Sequence, residues 1–600
     1  MARPTQADVC RHPDFGGSPK ACGAFPVRKG TCLAHLSADR RAGYLANLLA
    51  GAPVRADGVT FTEGLLEELL EALRGRQDGS EVGVVSFSGA TFTGRADFGG
   101  LKFTDVADFT GATFRGDASF EEVIFEGDAW FTAATFSKNA RFQGARFRSA
   151  DFTKASFAKE PATLPVDLRA TKANFGSAKF AESPNFANAT FKGDAYFIET
   201  VFEKGASFTG VRFNRNGNFT KAKFNDEVDF LQVSFNAAFF HGATFSGRAS
   251  FSQTTFQLTG SFKEAVVEQE LCVEALAQRL DAKNLRGKGR LTLRLRAAKV
   301  DLADTVLAGP VTVQGLRRPI FATDESDFRH PESGLLPDVR VASLQRLDAG
   351  SVTLTDVDLT SCRFTGLHRA EQLHLDGECR FATDPRRVRR VLAEEHYWRA
   401  RRSANRRQVL VRFEMLHRYL KSILCRPLKA LGYREPLSEW TSAPGGADPW
   451  EPTPARLEVL YRQLRKAMED AKNEPGAADF YYGEMEMRRA GAHRGEKVLL
   501  WLYWLASGYG LRVGRALVAL LGVVAVLALG MQYAGFPGRP VPYIDALLYS
   551  LRSTVAVDVK TSAVPENVTR WGQAIRIMLR ITGPLFVGLA ALAIRNRVKR

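Results

Sequence analysis

Three cysteines and a histidine near the start of the chain have the donor chemistry to hold a metal. In "VCRHPDFGGSPKACGAFPVRKGTCLAHLSADRR", Cys10, Cys22 and Cys32 are followed by His35, three residues beyond the last thiol. Three thiolates and an imidazole make a closed tetrahedral zinc site, and the Cys32/His35 spacing brings two donors within chelating reach. The first spacings are wide, so the competing reading is of reduced, unliganded thiols at the start of a helical cap. The other cysteines, at 272, 362, 379 and 425, are too sparse for a disulfide framework in 600 residues.

Catalysis needs a constellation, and none is visible. No glycine-rich nucleotide loop, zinc-protease helix or nucleophile elbow occurs. Glu484 and Glu486 invite an acid/base or metal role, but two residues apart on a helix they face different directions, which favours helix-surface charge. An enzyme, such as a membrane-associated oxidoreductase, would need a cofactor site that the sequence does not display. A non-enzyme is expected, with no cofactor beyond zinc.

The stretch "YSLRSTVAVDVKTSAVP", Tyr549 to Pro565, lies between two apolar segments. Ala516 to Phe536 is free of charge and long enough to cross a bilayer. Ala574 to Ile594 has similar length but carries Arg576 and Arg580, four apart on one helical face, directed either at a pore or at headgroups. Arg512 and Arg515 precede the first span, and Arg595, Arg597, Lys599 and Arg600 follow the second, which argues for cytosolic termini. No export signal opens the chain.

Span, "YIDALLYSLRSTVAV", polar turn and second span together resemble the two-span pore module of bacterial potassium-type channels. The resemblance implies a pore helix over Asp545 to Val555, with Ser553, Thr554 and Val555 at the start of the filter. Where that family carries Gly-Tyr-Gly, this chain has Ala556, Val557 and Asp558, a degenerate filter. Side chains with β-carbons disfavour the backbone geometry that aims carbonyls at potassium. Gly508-Tyr509-Gly510 precedes the first span and is a decoy, and "VLLWLYWLASG" before it reads as an interfacial helix. Any pore built from such a module needs an oligomer.

The elements that position these groups begin with a repeat. "GATFTGRADFGGLKFTDVADFTGATFRGDASF" places Phe92, Phe98, Phe103, Phe109, Phe114 and Phe120 at alternating steps of six and five, with Ala two residues before most of them. Helices and flat strands have periods of 3.6 and 2, so a coiled strand turning a corner at each step fits better. Phe fills the axis, Ala fits beside it, and Gly94, Gly100, Gly111 and Gly116 suit the corners. From Phe87 to Phe262 the stretch resembles the pentapeptide-repeat family, which implies a right-handed quadrilateral β-helix. The extra residue in every second step implies bulged corners or a distorted square. Some members of that family mimic DNA and occupy topoisomerases. Here residues 81–262 hold 19 basic and 19 acidic side chains, which argues against that use and favours an unknown protein partner.

The surplus of positive charge, +17 over the chain, sits mainly in residues 386–434, with 15 Lys or Arg against 3 Glu at helical spacing. Anionic lipid is the expected partner, a solvated packing face the alternative, and nucleic acid the least favoured. The organisation is therefore an N-terminal cap with the zinc candidate (1–80), a β-helix (81–262), a less regular continuation (263–382), a basic helical segment (383–438), a linker (439–454), a helical hairpin (455–495), and an interfacial helix with two spans (496–600). The hairpin block resembles a motif of bacterial pentapeptide-repeat membrane proteins, which implies a bacterial plasma membrane. The reading is mainly β, a solenoid with an α-helical linker region and a two-span membrane module. It serves as an anchored scaffold or sensor, with a ligand- or partner-gated channel lacking potassium selectivity as the alternative.

Overall fold

The computed structural model describes residues 10, 22, 24–27, 30–48, 53–74, 81–157, 172–320, 339–385, 389–411, 452–537, 541–555 and 568–598. The chain divides into two compact units, Met1–His368 with Asp376–Arg380, and Arg369–Leu375 with Phe381–Arg600.

The first unit is a β-solenoid of about twelve turns, built from parallel pairs of short strands. Its register explains the uneven Phe spacing. Phe92 pairs with Phe114 and Phe114 with Phe136, so these coils take 22 residues. Phe136 pairs with Phe157 after 21, and Leu271 with Leu291 after 20. The coil thus shortens as Leu and Val replace Phe on the axis, and the stretch with the loosest sequence has the tightest coil. In the Phe ladder the rings of successive coils stack, as for Phe98, Phe120 and Phe142 at 4.9 Å, while rings from opposite faces meet edge to face, as Phe109 and Phe120 do at 5.4 Å. The Phe axis and the Ala beside it are fully buried. Each such Phe contributes roughly 1.5–3 kcal/mol through burial, with more from ring packing.

The corners are of two kinds. Five-residue steps close with a β-turn, Ala90 N–H donating to the Phe87 carbonyl at 3.0 Å, and the turn's third residue has positive φ. Gly100 (70°) and Gly111 (66°) occupy such positions, but so do Glu122 and Ala133. Six-residue steps use glycine for another reason. At Gly116 a β-carbon would lie 2.2 Å from the Gly94 carbonyl oxygen of the preceding coil. Of the four glycines read as corner residues, only Gly100 and Gly111 supply a left-handed φ; Gly116 is required by the closeness of the neighbouring coil.

Helices α1 (Ala38–Ala46) and α2 (Glu63–Arg74) belong to the N-terminal cap. α2 buries the stripe Leu65, Leu66, Leu69, Leu70 and Leu73, and Phe61 just before it stacks on Phe92 at 5.2 Å.

The second unit opens with an antiparallel pair, Ala382–Thr383 with Arg390–Val391, and then helix α3 (Ala393–Val411). Helices α4 (Pro454–Asp470) and α5 (Glu474–Gly491) form a hairpin. Thr453 and Asn473 cap the two helices, each accepting a backbone N–H, and a proline lies in each first turn. Next come α6 (Arg494–Ser507), α7 (Val513–Gly530, ending in a π-turn Met531–Gly535), α8 (Tyr543–Val555) and α9 (Arg570–Val598). Val513–Gly535 and Arg570–Ala591 are long and apolar enough to cross a membrane.

Candidate metal centre and helical unit

The segment carrying the thiols is pinned to the first coil. Cys10 N–H donates to the Ala24 carbonyl at 2.7 Å, and Phe25 N–H to the Asp57 carbonyl at 2.8 Å. Gly58 is needed there, since a β-carbon would approach the Ala24 Cα to 3.3 Å and its φ is 68°. Cys32 caps a short 3-10 turn, Leu33–His35, that folds His35 back over it.

This brings the four predicted donors together, with all ligand atoms within 4.8 Å of one another. Cys22 Sγ lies 3.8 Å from Cys32 Sγ, Cys10 Sγ 3.6 Å from His35 Nδ1, and Cys32 Sγ 3.2 Å from the same nitrogen. A tetrahedral zinc with Zn–S near 2.3 Å and Zn–N near 2.05 Å sets S···S at about 3.8 Å and S···N at about 3.5 Å. The first two distances fit such an ion, and the third needs a small opening. Burial pushes the Cys32 thiol up to about 12 and raises Cys22 as well. Without a cation the Cys22 and Cys32 thiols stay protonated; a divalent ion would supply the charge that thiolates need. The Cys3His group could therefore hold a metal ion.

Glu484 and Glu486 require a correction. They do point in different directions, but both directions are internal and both side chains are buried. Glu484 pairs with Arg462 (2.9 Å) and Arg465 (3.1 Å) of α4. Glu486 pairs with Arg399 of α3 (3.2 Å) and Arg489 (2.9 Å), and accepts the Tyr509 hydroxyl at 3.1 Å. Gly508-Tyr509-Gly510 is thus a buried turn, all three residues at positive φ, with burial and then Glu486 raising the Tyr509 hydroxyl's pKa.

The most enclosed charge among the described residues of this unit is Glu395, with no exposed surface. It pairs with Arg389 and with Arg399 at 2.7 Å, and accepts the Tyr461 hydroxyl at 2.5 Å. Burial alone would raise its carboxyl, but the two guanidiniums and the phenol prevail and hold it at about 2. Part of the basic segment is therefore committed inward, which removes Arg389 and Arg399 from the charge expected to face lipid. Residues 412–434 of that segment and nearly all of the linker lie outside the described residues. The i,i+4 pair Glu395/Arg399 and the i,i+3 pair Glu486/Arg489 were legible signals, but neither reveals a partner 87 residues away.

Ser553, Thr554 and Val555 occupy the last turn of α8, so the chain remains helical where the start of a filter was expected. Thr554 Oγ1 donates to the Ser550 carbonyl at 2.7 Å, and a β-carbon at Gly583 would meet the Thr554 carbonyl oxygen at 2.3 Å. These residues form a packing seam between α8 and α9. Ala556, Val557 and Asp558 lie outside the described residues. Arg576 is half-buried and Arg580 exposed, both within the apolar length of α9.

On the β-helix, Asn185, Ser207, Asp229 and Ser250 stack on successive coils and line a groove of about 570 Å³. Burial raises the Asp229 carboxyl. The sequence reading also missed the Asp or Asn that precedes several of the Phe residues opening a tight corner. Asp97, Asp108, Asp151, Asn174 and Asn218 each accept the backbone N–H two positions on, which caps the tight corner that follows.

Among curated proteins and among solved structures, none matches this chain. A family profile described as pentapeptide repeats (9 copies) matches residues 87–135, 121–162 and 175–223. The matched residues are the Phe-stacked coils, so this part of the chain is a pentapeptide-repeat β-helix.

Proposed function

We propose that this protein is a membrane-anchored repeat scaffold or sensor, in which α7 and α9 cross a bilayer and the β-helix presents a face to a protein partner. The observation that carries the reading is the outward apolar surface of both long helices. Leu517, Val518, Leu521, Val526 and Leu529 are exposed on α7, and Ile577, Met578, Ile581, Leu585 and Val587 on α9. Outside a bilayer such surface is costly. The flanking arginines favour cytosolic termini, and the likeness of the hairpin block to bacterial pentapeptide-repeat membrane proteins supports a bacterial plasma membrane. The groove at Asn185 to Ser250 is the candidate partner face, and anionic lipid remains the proposed partner of residues 386–434. Retention of the full chain in membranes through an alkaline wash, with a reproducible protein co-eluting in affinity purification, supports the reading. Release into the wash refutes it.

We assign zinc to the Cys3His group on its distances and donor set. Metal analysis of the purified chain should give about one zinc per molecule, lost in Cys32→Ser; a metal-free chain with unchanged stability in that variant removes the assignment. A gated channel without potassium selectivity is the second reading, favoured by the α8–α9 seam at Thr554 and Gly583. It requires an oligomer, and ion flux in liposomes tests it.

A further inference from the structure

Two arginines at the start of α7 meet no carboxylate among the described residues. Along residues 488–515 the chain carries Arg488, Arg489, Arg494, Lys497, Arg512 and Arg515 against the single acid Glu496. Arg488 pairs with Glu496 and Arg489 with Glu486, both at 2.9 Å. Arg512 and Arg515 form no ion pair among the described residues, and Arg515 Nη1 is buried without an acceptor. Both are nonetheless held in place. The Arg512 guanidinium lies 5.3 Å from the Tyr482 ring centre, and that of Arg515 lies 4.7 Å from Trp504. Trp504 Nε1–H donates to the Tyr482 hydroxyl at 2.9 Å, so the two rings form one platform carrying both cations.

The neighbouring helix indicates what surrounds that platform. α6 packs Leu500, Tyr503 and Trp504 against Tyr482, Met485 and Tyr509. Its other side exposes Val498, Leu499, Trp501, Leu502 and Leu505. This apolar stripe with its tryptophan ends at Leu505 and the exposed apolar surface of α7 begins at Leu517, so the two surfaces follow one another along the chain across a short turn.

We propose that Arg512 and Arg515 bind the phosphate of an anionic lipid headgroup, with the exposed stripe of α6 lying in the same leaflet. The inference rests on the anchoring of the chain by α7 and α9. A phosphate supplies the anionic partner that the two guanidiniums lack among the described residues, and guanidinium forks match its oxygens. An anionic headgroup is favoured over a zwitterionic one because two guanidiniums without a carboxylate partner attract net negative charge and repel a headgroup cation.

The test uses the full chain in a mild detergent, titrated with phosphatidylglycerol, phosphatidylcholine or inorganic phosphate, with bound molecules counted by native mass spectrometry. Phosphatidylglycerol should be retained in preference to phosphatidylcholine. R512Q/R515Q should weaken its retention roughly thirtyfold, as expected for two near-surface charges. R512K/R515K, which keeps charge but not the fork, should fall between, and R488Q should bind as the parent does. Circular dichroism establishes that each variant is folded. Equal retention of the two lipids, or unchanged retention by a folded R512Q/R515Q, overturns the proposal. Inorganic phosphate that saturates the pair while no lipid is retained overturns the lipid source. A chain that stays in solution without detergent refutes the anchoring reading together with this one, whereas an integral chain indifferent to R512Q/R515Q refutes this one alone.

Discussion

In the β-helix a buried side chain meets its equivalent one coil away, whereas in the helical unit a buried charge meets a different residue type dozens of positions away. Phe114 stacks on Phe136 at 4.7 Å, and the same contact recurs coil after coil. Glu395 instead gathers Arg389, Arg399 and Tyr461, and Arg399 reaches on to Glu486. The first core is mainly hydrocarbon, its few buried hydroxyls, such as Thr200 and Thr254, donating to backbone carbonyls. The second is held by charges that are stable only as a set, because each would be costly alone.

The largest test of that difference is a charge placed on the Phe axis. Phe120 has no exposed surface and lies between Phe98 and Phe142 at 4.9 Å. Phe120→Asp should prevent folding of the solenoid, since an unpaired buried carboxylate with a lost ring exceeds about 4 kcal/mol. Asp117→Asn in the same coil should change stability by less than about 1 kcal/mol, because Asp117 is a partly exposed acceptor for Asn139. Thermal denaturation of the two variants checks this; equal tolerance would mean that the ladder is not the core.

The mirror experiment removes a charge from the helical unit. Glu395→Gln leaves Arg389 buried with its main counterion gone, and should destabilise that unit by roughly 3–5 kcal/mol while the β-helix melts unchanged. A single cooperative shift of both units would show that they do not unfold independently, which breaks the comparison.

Acid sharpens the same point. The Glu395 carboxyl is held at about 2 against an ordinary value near 4.5, so the folded state binds this proton less readily than the unfolded one. The stabilisation is complete above about pH 4.5 and is lost progressively as the pH falls toward 2. Helical signal from the second unit should decline over that window, and Glu395→Gln should flatten this part of the profile. A profile unchanged by the substitution assigns the acid sensitivity to other carboxylates.

These contrasts explain what the sequence made legible. A period of five and six, repeated dozens of times, identifies an axis because every copy of Phe92 or Phe114 votes for the same environment. The Cys10, Cys22, Cys32 and His35 set was visible by donor type, although its closeness depends on the hydrogen bonds that pin Cys10 and Phe25. Glu484 and Glu486 were misread because helix spacing reports direction and not what covers each direction. Their covers come from α3, α4 and the Tyr509 turn, which no local pattern announces. The corners were half legible: Gly100 was placed by its φ, but Gly116 answers to a carbonyl on another coil.

The smallest predicted effect concerns the corner cap. Asp108 Oδ1 accepts the Thr110 N–H at 2.8 Å, just before the left-handed Gly111. Without that acceptor the N–H must turn to water, at a cost of about 1 kcal/mol. Asp108→Ala should therefore lower the melting temperature slightly. Asp108→Asn should not, because the amide oxygen accepts the same bond, as Asn174 and Asn218 do at equivalent corners. Equal losses in both variants would assign the effect to charge and not to capping. A loss confined to Asp108→Ala would show that even the turns of the β-helix are specified within three residues, the opposite of the long-range pairing around Glu395.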